Sequence, residues 1–294
     1  MTIPSHELEA FAAAARARTI SGAAALVHVT QPALTQRIQN LERALGVTLF
    51  VRDRKGVTLT AAGERLLRYC QVKEELEGEL LAELGRRTEL AGTLRVAAYS
   101  SVLHSVVVPA LAPLVRANAG IVLEVAAREM AELPAMLLRG EVDLIVLDHA
   151  LERADVDGFV LGVETNVLIE PAGRRCPDVY LDHDAADRTT QEYLKLQGDR
   201  RPFRRAYLDD IAGILNGVAL GLGRGVVPRH LIASELPVRR VPRQRPLEVP
   251  VVLHRRKQPY HARLQETAVQ ALTRGCARLL DRGGRPRSSG ARGR

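Results

Sequence analysis

The chain predicts an α/β protein in two unequal parts: an all-α N-terminal domain carrying a small β wing, then a long helix leading into a two-lobed α/β half. Three observations carry this reading. Helical signals in the first 45 residues end in a sharply capped, polar-faced helix followed by two short β-like runs; a helical pattern then runs unbroken from Thr60 to about Leu84; and from Ala91 onward apolar runs of strand length alternate with helical stretches. At 294 residues the chain can hold two or three cores, and its 42 Lys and Arg against 34 Asp and Glu leave a net charge of +8.

In chain order, Leu8, Phe11, Ala12 and Ala15 mark a first helix, and Ser21 is placed to cap a short second one through Ala23, Ala24, Ala25 and Leu26. The alanines allow close helix contact. After the turn His28-Val29-Thr30 a third helix begins, with Thr30 as N-cap and Pro32 in the first turn, where a missing N–H costs nothing. Wound at about 100° per residue, Leu34, Ile38, Leu41 and Leu45 form one apolar stripe. The opposite side and the exposed N-terminal end carry Gln31, Pro32, Thr35, Gln36 and Arg37, groups suited to base edges and phosphates; a merely solvated face is the alternative. Gly46 ends the helix. Val47 to Val51 and Val57 to Thr60 then read as a hairpin around the basic turn Arg52-Asp-Arg-Lys-Gly56, which completes a winged helix-turn-helix.

These residues, TISGAAALVHVTQPALTQRIQNLERALGVTLFVRDRKGVTLTAAGE, resemble the N-terminal domain of LysR-type transcriptional regulators over about the first sixty positions. The resemblance implies DNA contacts from Gln31, Pro32, Thr35 and Gln36, with a wing at Arg54 and Lys55 reaching the neighbouring backbone or minor groove. Arg52 also matches the family, and an ion pair with Glu42 is the stronger reading for it than a base contact. Where many members have serine then arginine, this chain reads Thr35-Gln36-Arg37, so the guanidinium leaves the helix at a different angle from the family's arginine. The order Thr-Gln-Arg-Ile is similar to that of the lysine- and arginine-responsive branch.

Thr60 caps the next helix. Heptad spacing sets Leu66, Lys73 and Leu80 at one seam position and Tyr69, Leu76 and Glu83 at the other, imperfect and weakened by Gly78. It reads as a linker helix pairing with a second copy, with packing on its own chain as the alternative. In the family such helices pair two winged domains, so a homodimer, or a tetramer built from dimers, is expected to meet a two-fold site in double-stranded DNA.

In the C-terminal half, strands are expected at Thr93–Tyr99, Ile121–Ala126 and Asp143–Leu147, with helices over roughly Val102–Ala117 and Ala131–Arg139. A second unit follows, with strands near Val167–Glu170, Val179–Asp182, Ala206–Leu208 and Gly225–Val227 and helices near Arg188–Gln197 and Asp210–Leu220. Val249–Leu253 and a helix over His261–Leu280 then return to the first unit. Two lobes joined by two crossovers leave a cleft, and the family resemblance implies a periplasmic-binding-protein-like domain that senses a small molecule. The boundaries expected are 1–60 for the winged domain, 61–90 for the linker, 91–281 for the effector domain and 282–294 for a basic tail without an apolar face.

The cleft is argued to bind rather than to catalyse. Gly221-Leu-Gly-Arg-Gly225 follows a helix and precedes a strand, the reverse of a phosphate-binding loop; His149 and His183 lie beside Asp148 and Asp184 without paired metal-ligand spacing; and no serine sits in a G-x-S-x-G elbow. No catalytic residue, cofactor or metal is expected. For the effector, Ser100 and Ser101 at a strand-to-helix junction suit an anionic group, while Glu129, Asp148 and Asp209 near strand ends favour a cationic or zwitterionic one, such as an amino acid; helix capping by Asp209 and solvation of the others are the alternatives. Cys70, Cys176 and Cys276 are an odd number without C-x-x-C spacing, which fits a reducing cytoplasm and packing roles, with a redox role for Cys176 beside Arg174 and Arg175 as the alternative. No run was found long and apolar enough for a membrane span, and no export signal. The expected function is a cytoplasmic, effector-responsive DNA-binding regulator of transcription. Its rivals are a non-regulatory solute-binding protein and an α/β enzyme fused to a DNA-binding module.

Overall fold

The computed structural model describes residues 3–53, 56–84, 90–258 and 262–281. Helices α1 (Ser5–Ala17), α2 (Ile20–Leu26) and α3 (Gln31–Leu45) pack around Phe11, Ala14, Ala23, Leu34, Ile38 and Leu41, and the Phe11 ring meets Phe50 at 5.2 Å between centroids. The cap of α2 is Thr19, whose hydroxyl accepts from Gly22 N at 3.2 Å, so the helix starts a residue before Ser21. Both residues have capping chemistry, and the structure uses the earlier one. The turn into α3 holds His28 at φ 53°, and Gly46 closes α3 at φ 67°, in the left-handed region.

The wing strands β1 (Phe50–Asp53) and β2 (Gly56–Leu59) pair antiparallel from Phe50↔Leu59 to Asp53↔Gly56. Gly56 is required twice over: its φ is 136°, and a Cβ there would lie 2.3 Å from the Arg18 carbonyl that accepts Val57 N. Glu42 accepts from Leu49 N at 2.7 Å and Phe50 N at 3.3 Å, tying α3 to the entry of the wing. The Arg52 side chain proposed as its partner lies outside the described residues.

Helix α4 (Ala61–Leu84) starts at Thr60, whose hydroxyl accepts from Gly63 N. Leu67 and Cys70 face the winged domain, whereas Tyr69, Leu76 and Leu80 are exposed. Lys73, the charge in the seam, pairs with Glu77 at 2.6 Å. The Glu83 side chain, Arg54, Lys55 and the tail 282–294 lie outside the described residues.

The remaining strands are β3 (Ala91–Ala98), β4 (Gly120–Ala127), β5 (Leu144–Leu147), β6 (Val156–Pro171), β7 (Val179–Asp182), β8 (Arg204–Tyr207), β9 (Arg224–Pro228), β10 (Val238–Arg240) and β11 (Leu247–Arg256). They run in the order β4-β3-β5-β11-β6-β9-β7-β8, with β10 on β6. Each lobe has the expected parallel set, β4-β3-β5 and β9-β7-β8, but β6 and β11 join them antiparallel, so the sheet is mixed. These two strands are the crossovers. The sequence reading took only the end of β6 and omitted β10, because Asp157, Gly158, Gly162, Glu164, Thr165 and Asn166 break the apolar pattern of a strand. Gly162, at φ 152°, lies where the β6–β11 register shifts, and a Cβ there would meet Leu280 at 2.7 Å.

Helices α5 (Ser100–Val102) and α6 (Val108–Ala117) are joined by a π-turn, Leu103–Val107. Pro109 has no N–H for the carbonyl four residues before it, which suits a widened turn there. By length and composition this run, Ser100–Ala117, is apolar enough to cross a membrane, contrary to the sequence reading. In the fold Leu103, Val106, Val107 and Leu111 are core of the first lobe, against α10 (Arg263–Leu280). Helices α7 (Leu133–Arg139), α8 (Thr189–Leu196) and α9 (Ile211–Leu220) complete the covering layers. Within the chain, Arg18 pairs with Glu141 at 2.6 Å, Gln71 donates to the Gly140 carbonyl, and Arg256 donates to Gln71 at 3.0 Å, so the first lobe touches both the winged domain and the linker.

Candidate functional site

Two surfaces concentrate polar side chains that folding alone does not use. The first is the start of α3. The Thr30 hydroxyl accepts from Ala33 N, which fixes an abrupt helix start, and Leu34, Ile38 and Leu41 are wholly buried beneath it. Gln31, Pro32 and Gln36 are exposed, and Thr35 and Arg37 are half-buried on the flanks. Gln36 donates to Asn40 at 2.8 Å, and Arg43 donates to the same oxygen, so the amide row continues one turn further than the sequence reading took it. A rigid apolar anchor under an exposed row of amides can read base edges without reorganising.

The second surface is the cleft between the lobes. Ser100 and Ser101 begin α5, as expected at the end of β3. Ser101 donates to Glu164 Oε1 at 3.2 Å, so a carboxyl of the chain itself already occupies the hydroxyl proposed for an anion. Glu164 and Asn166 project inward from alternate positions of β6, at 5% and 4% exposure. Ser105, in the π-turn, donates to the Ser101 carbonyl and lies 2.9 Å from His230 Nε2. With that proton spent, His230 donates from Nε2 and its buried Nδ1 has no partner; the Tyr99 hydroxyl is buried and unpartnered too.

Burial pushes the Glu164 carboxyl up to about 7, against the hydrogen bonds from Ser101 and Asn166 and helped by the nearby Asp148. Burial lowers His230 and raises Tyr99 well above its usual range. The 3.9 Å approach of His230 to Glu164 is therefore a contact of largely neutral partners rather than a strong ion pair. Asp148 stands at the end of β5 and accepts from His149.

At the rim, Glu129 of the first lobe lies 3.4 Å from His183 Nε2 of the second. Asp209, at φ 56°, follows β8 beside His183, whose carbonyl accepts its N–H; Asp210, not Asp209, caps α9 by accepting from Gly213 N. The structure thus brings Ser101 together with Asp148 around Glu164, and places Glu129 and Asp209 on either side of His183. Glu129, His183 and Asp184 each present one ligand atom within 4.8 Å of the others, with Glu129 exposed and His183 half-buried. Among the described residues those three could hold a metal, and spacing did not reveal them because Glu129 comes from the other lobe. Glu164, Asn166, Ser105, His230 and Tyr99 were also missed in the sequence.

Cys70 and Cys276 are buried, and burial pushes their thiols up to about 11 and 12, which makes them packing groups at neutral pH. Cys176 is half-exposed, with its Sγ 3.5 Å from the Pro177 carbonyl. Between the winged domain and the first lobe lies a separate cavity of about 960 Å³, bordered by Arg16, Arg18, Gln71, Arg95, Glu124 and Glu141. None of Tyr99, Ser101, Asp148, Glu164 and His230 borders it.

Residues 5–64 match the family of bacterial regulatory helix-turn-helix proteins of the lysR type, and residues 87–277 match the LysR substrate binding domain. The chain is a LysR-type transcriptional regulator. It is 32% identical to the HTH-type transcriptional regulator TrpI of Pseudomonas aeruginosa over 243 residues, covering 78% of this chain and 82% of that one. It is 28% identical to the RuBisCO operon transcriptional regulator of Allochromatium vinosum, covering 82% and 84%. Its fold is similar to ArgP from Mycobacterium tuberculosis (TM-score 0.73, 20% identity, 93% and 97% covered) and to full-length LysG from Corynebacterium glutamicum with arginine as bound effector (0.68, 19%, 97% and 100%). As a LysR-type regulator the protein binds DNA and carries a small-molecule-sensing α/β domain; its relatives are regulators, not enzymes.

Proposed function

We propose that this regulator reads a specific DNA site through Gln31, Pro32, Thr35, Gln36 and Arg37, holds the neighbouring backbone with Arg54 and Lys55, and responds to an amino-acid effector between its lobes. The observation that carries the reading is the exposed amide row at the start of α3 above the fully buried Leu34, Ile38 and Leu41. The exposed Tyr69, Leu76 and Leu80 on α4 support a homodimer through the linker, with a tetramer as its larger form, in the cytoplasm where its DNA is. Residues from both lobes, Ser100, Ser101, Glu129, Asp148 and Asp209, surround the effector's place, and a ligand touching both lobes can bias their closure. The arginine bound as effector in the similarly folded LysG is in keeping with the amino-acid class.

Footprinting on the DNA upstream of the protein's own reading frame tests the DNA half. Gln31→Ala and Thr35→Ala should each weaken the specific site by about 1–3 kcal/mol while scarcely changing binding to random DNA. Lys55→Ala should weaken both and flatten the salt dependence by about one phosphate's share. Equal losses on both DNAs for the α3 variants would overturn base reading by this helix.

A further inference from the structure

Two carboxylates are buried in the effector half among the described residues, and they are treated differently. Asp182 has Arg205 as its ion-pair partner, with Thr190 donating to its other oxygen. Glu164 is as deeply placed but makes no ion pair with a lysine or arginine among the described residues; its neighbours are Ser101, Asn166 and the neutral side of His230. A glutamine would make hydrogen bonds with Ser101 and Asn166 and carry no buried charge, so a carboxyl here is costly unless something brings the missing positive charge.

We propose that Glu164 is the counter-charge for a positively charged group of the effector, an amine or a guanidinium, received on the wall formed by Tyr99, Ser101 and His230. This rests on the reading of the cleft as the effector site and names the class of molecule it takes. Around that group, Tyr99 and Ser101 face it from the β3–α5 junction and Ser105 from the π-turn. Asp148, with His149 attached, faces it from the end of β5, and His230, preceded by Arg229, from the turn after β9. Asp148 adds a second negative field, which opposes an anionic head at this end and favours a cation. The unpartnered Tyr99 hydroxyl and His230 Nδ1 offer neutral groups that can bond a ligand.

The same geometry couples binding to protons. Glu164, pushed up to about 7 by burial, is partly protonated at neutral pH. An entering cation favours the carboxylate, so the proton leaves to solvent as the ligand binds. Effector uptake therefore releases a fraction of a proton and strengthens as pH rises through this range.

Titration calorimetry on the full-length protein tests this with L-arginine, L-lysine, the neutral arginine isostere L-citrulline, and L-glutamate as probes. Arginine or lysine should bind at least about tenfold tighter than citrulline, and glutamate more weakly still. Glu164→Gln should remove that preference, lowering affinity for the cation by about ten- to a hundredfold, and should abolish proton release as read from the dependence of the heat on buffer ionisation enthalpy. A cooperative unfolding transition of Glu164→Gln, with wild-type-like hydrogen-exchange protection in the effector half, shows that the variant is folded. If citrulline or glutamate binds as well as the cations, and Glu164→Gln leaves affinities alone while Ser101→Ala lowers them, the cleft stands and the charge assignment falls. If no probe binds at millimolar concentration, the cationic class is overturned. If a cation binds but neither variant alters it, the cleft reading fails as well.

Discussion

The winged domain and the effector cleft place their polar side chains in opposite ways. At the start of α3 the functional groups stand on the surface while the stripe beneath them is apolar and fully buried, so the helix would hold its shape whether or not DNA were present. In the cleft the polar groups are themselves buried; the Tyr99 hydroxyl and His230 Nδ1 have no hydrogen-bond partner, and the Glu164 carboxyl, bonded by Ser101 and Asn166, has no lysine or arginine beside it among the described residues. A surface that reads a rigid duplex is built before its partner arrives, whereas a sensor retains unmet bonding capacity that its ligand completes. The difference teaches that stability and recognition are separable in α3 and coupled at Glu164.

The largest effect expected from that contrast is on folding of the winged domain. Ile38→Ala empties a wholly buried site and should cost about 2–5 kcal/mol of that domain's stability. Proteolysis or hydrogen exchange resolved by domain should show the loss confined to the winged domain and the first turns of α4 packed on it through Leu67 and Cys70, with the effector half keeping its protection. Loss spread equally over both parts would mean that the contacts of Arg18 with Glu141 and Gln71 with Gly140 fuse them into one cooperative unit.

A smaller effect, of opposite character, belongs to Glu164. Its folded-state value lies near 7 against 4.5 for the free side chain, so the folded chain holds the proton more tightly. Its contribution to stability is greatest below about 4.5 and is lost as pH rises to about 7, a change of about 3 kcal/mol in the absence of ligand. Denaturant unfolding of the wild type at several pH values should show this decline, and Glu164→Gln should flatten it, with its relative advantage growing toward pH 8. A parallel profile for the two proteins would show that Glu164 is solvated or paired. His254, wholly buried and lowered to about 4 chiefly by burial, acts at the acid end: it destabilises the fold as pH falls from 6.5 toward 4 in both proteins.

The winged domain was legible because its information is local. One helical period joins Leu34, Ile38 and Leu41, and the same winding sets Gln31 and Gln36 apart from them. The cap of α2 was misplaced because Thr19 and Ser21 carry the same chemistry two residues apart. The alternating elements of the lobes were also readable, down to β7 at Val179–Asp182. The cleft floor was not, because its groups come from β3, the π-turn, β6 and the turn after β9, brought together only by the crossover strands. The signal available was the Glu164-x-Asn166 pair one strand period apart, directly before the apolar run Val167-Leu-Ile169. Polar residues in a buried strand lowered its strand score for the same reason that they matter.

The central claim is that recognition of DNA and response to an effector reside in these two separate places within one LysR-type regulator. Quantitative footprinting on the upstream DNA, with and without the cation that binds best, decides it when run in parallel on wild type, Gln31→Ala and Glu164→Gln. The account predicts that Gln31→Ala shifts the specific footprint to higher protein concentration by the equivalent of about 1–3 kcal/mol while its effector affinity, measured by calorimetry, is unchanged. Glu164→Gln should keep the effector-free footprint and lose the change that effector produces. If Gln31→Ala retains the full footprint, or if Glu164→Gln still shifts it at the wild-type effector concentration, the assignment of the two functions to these places is contradicted.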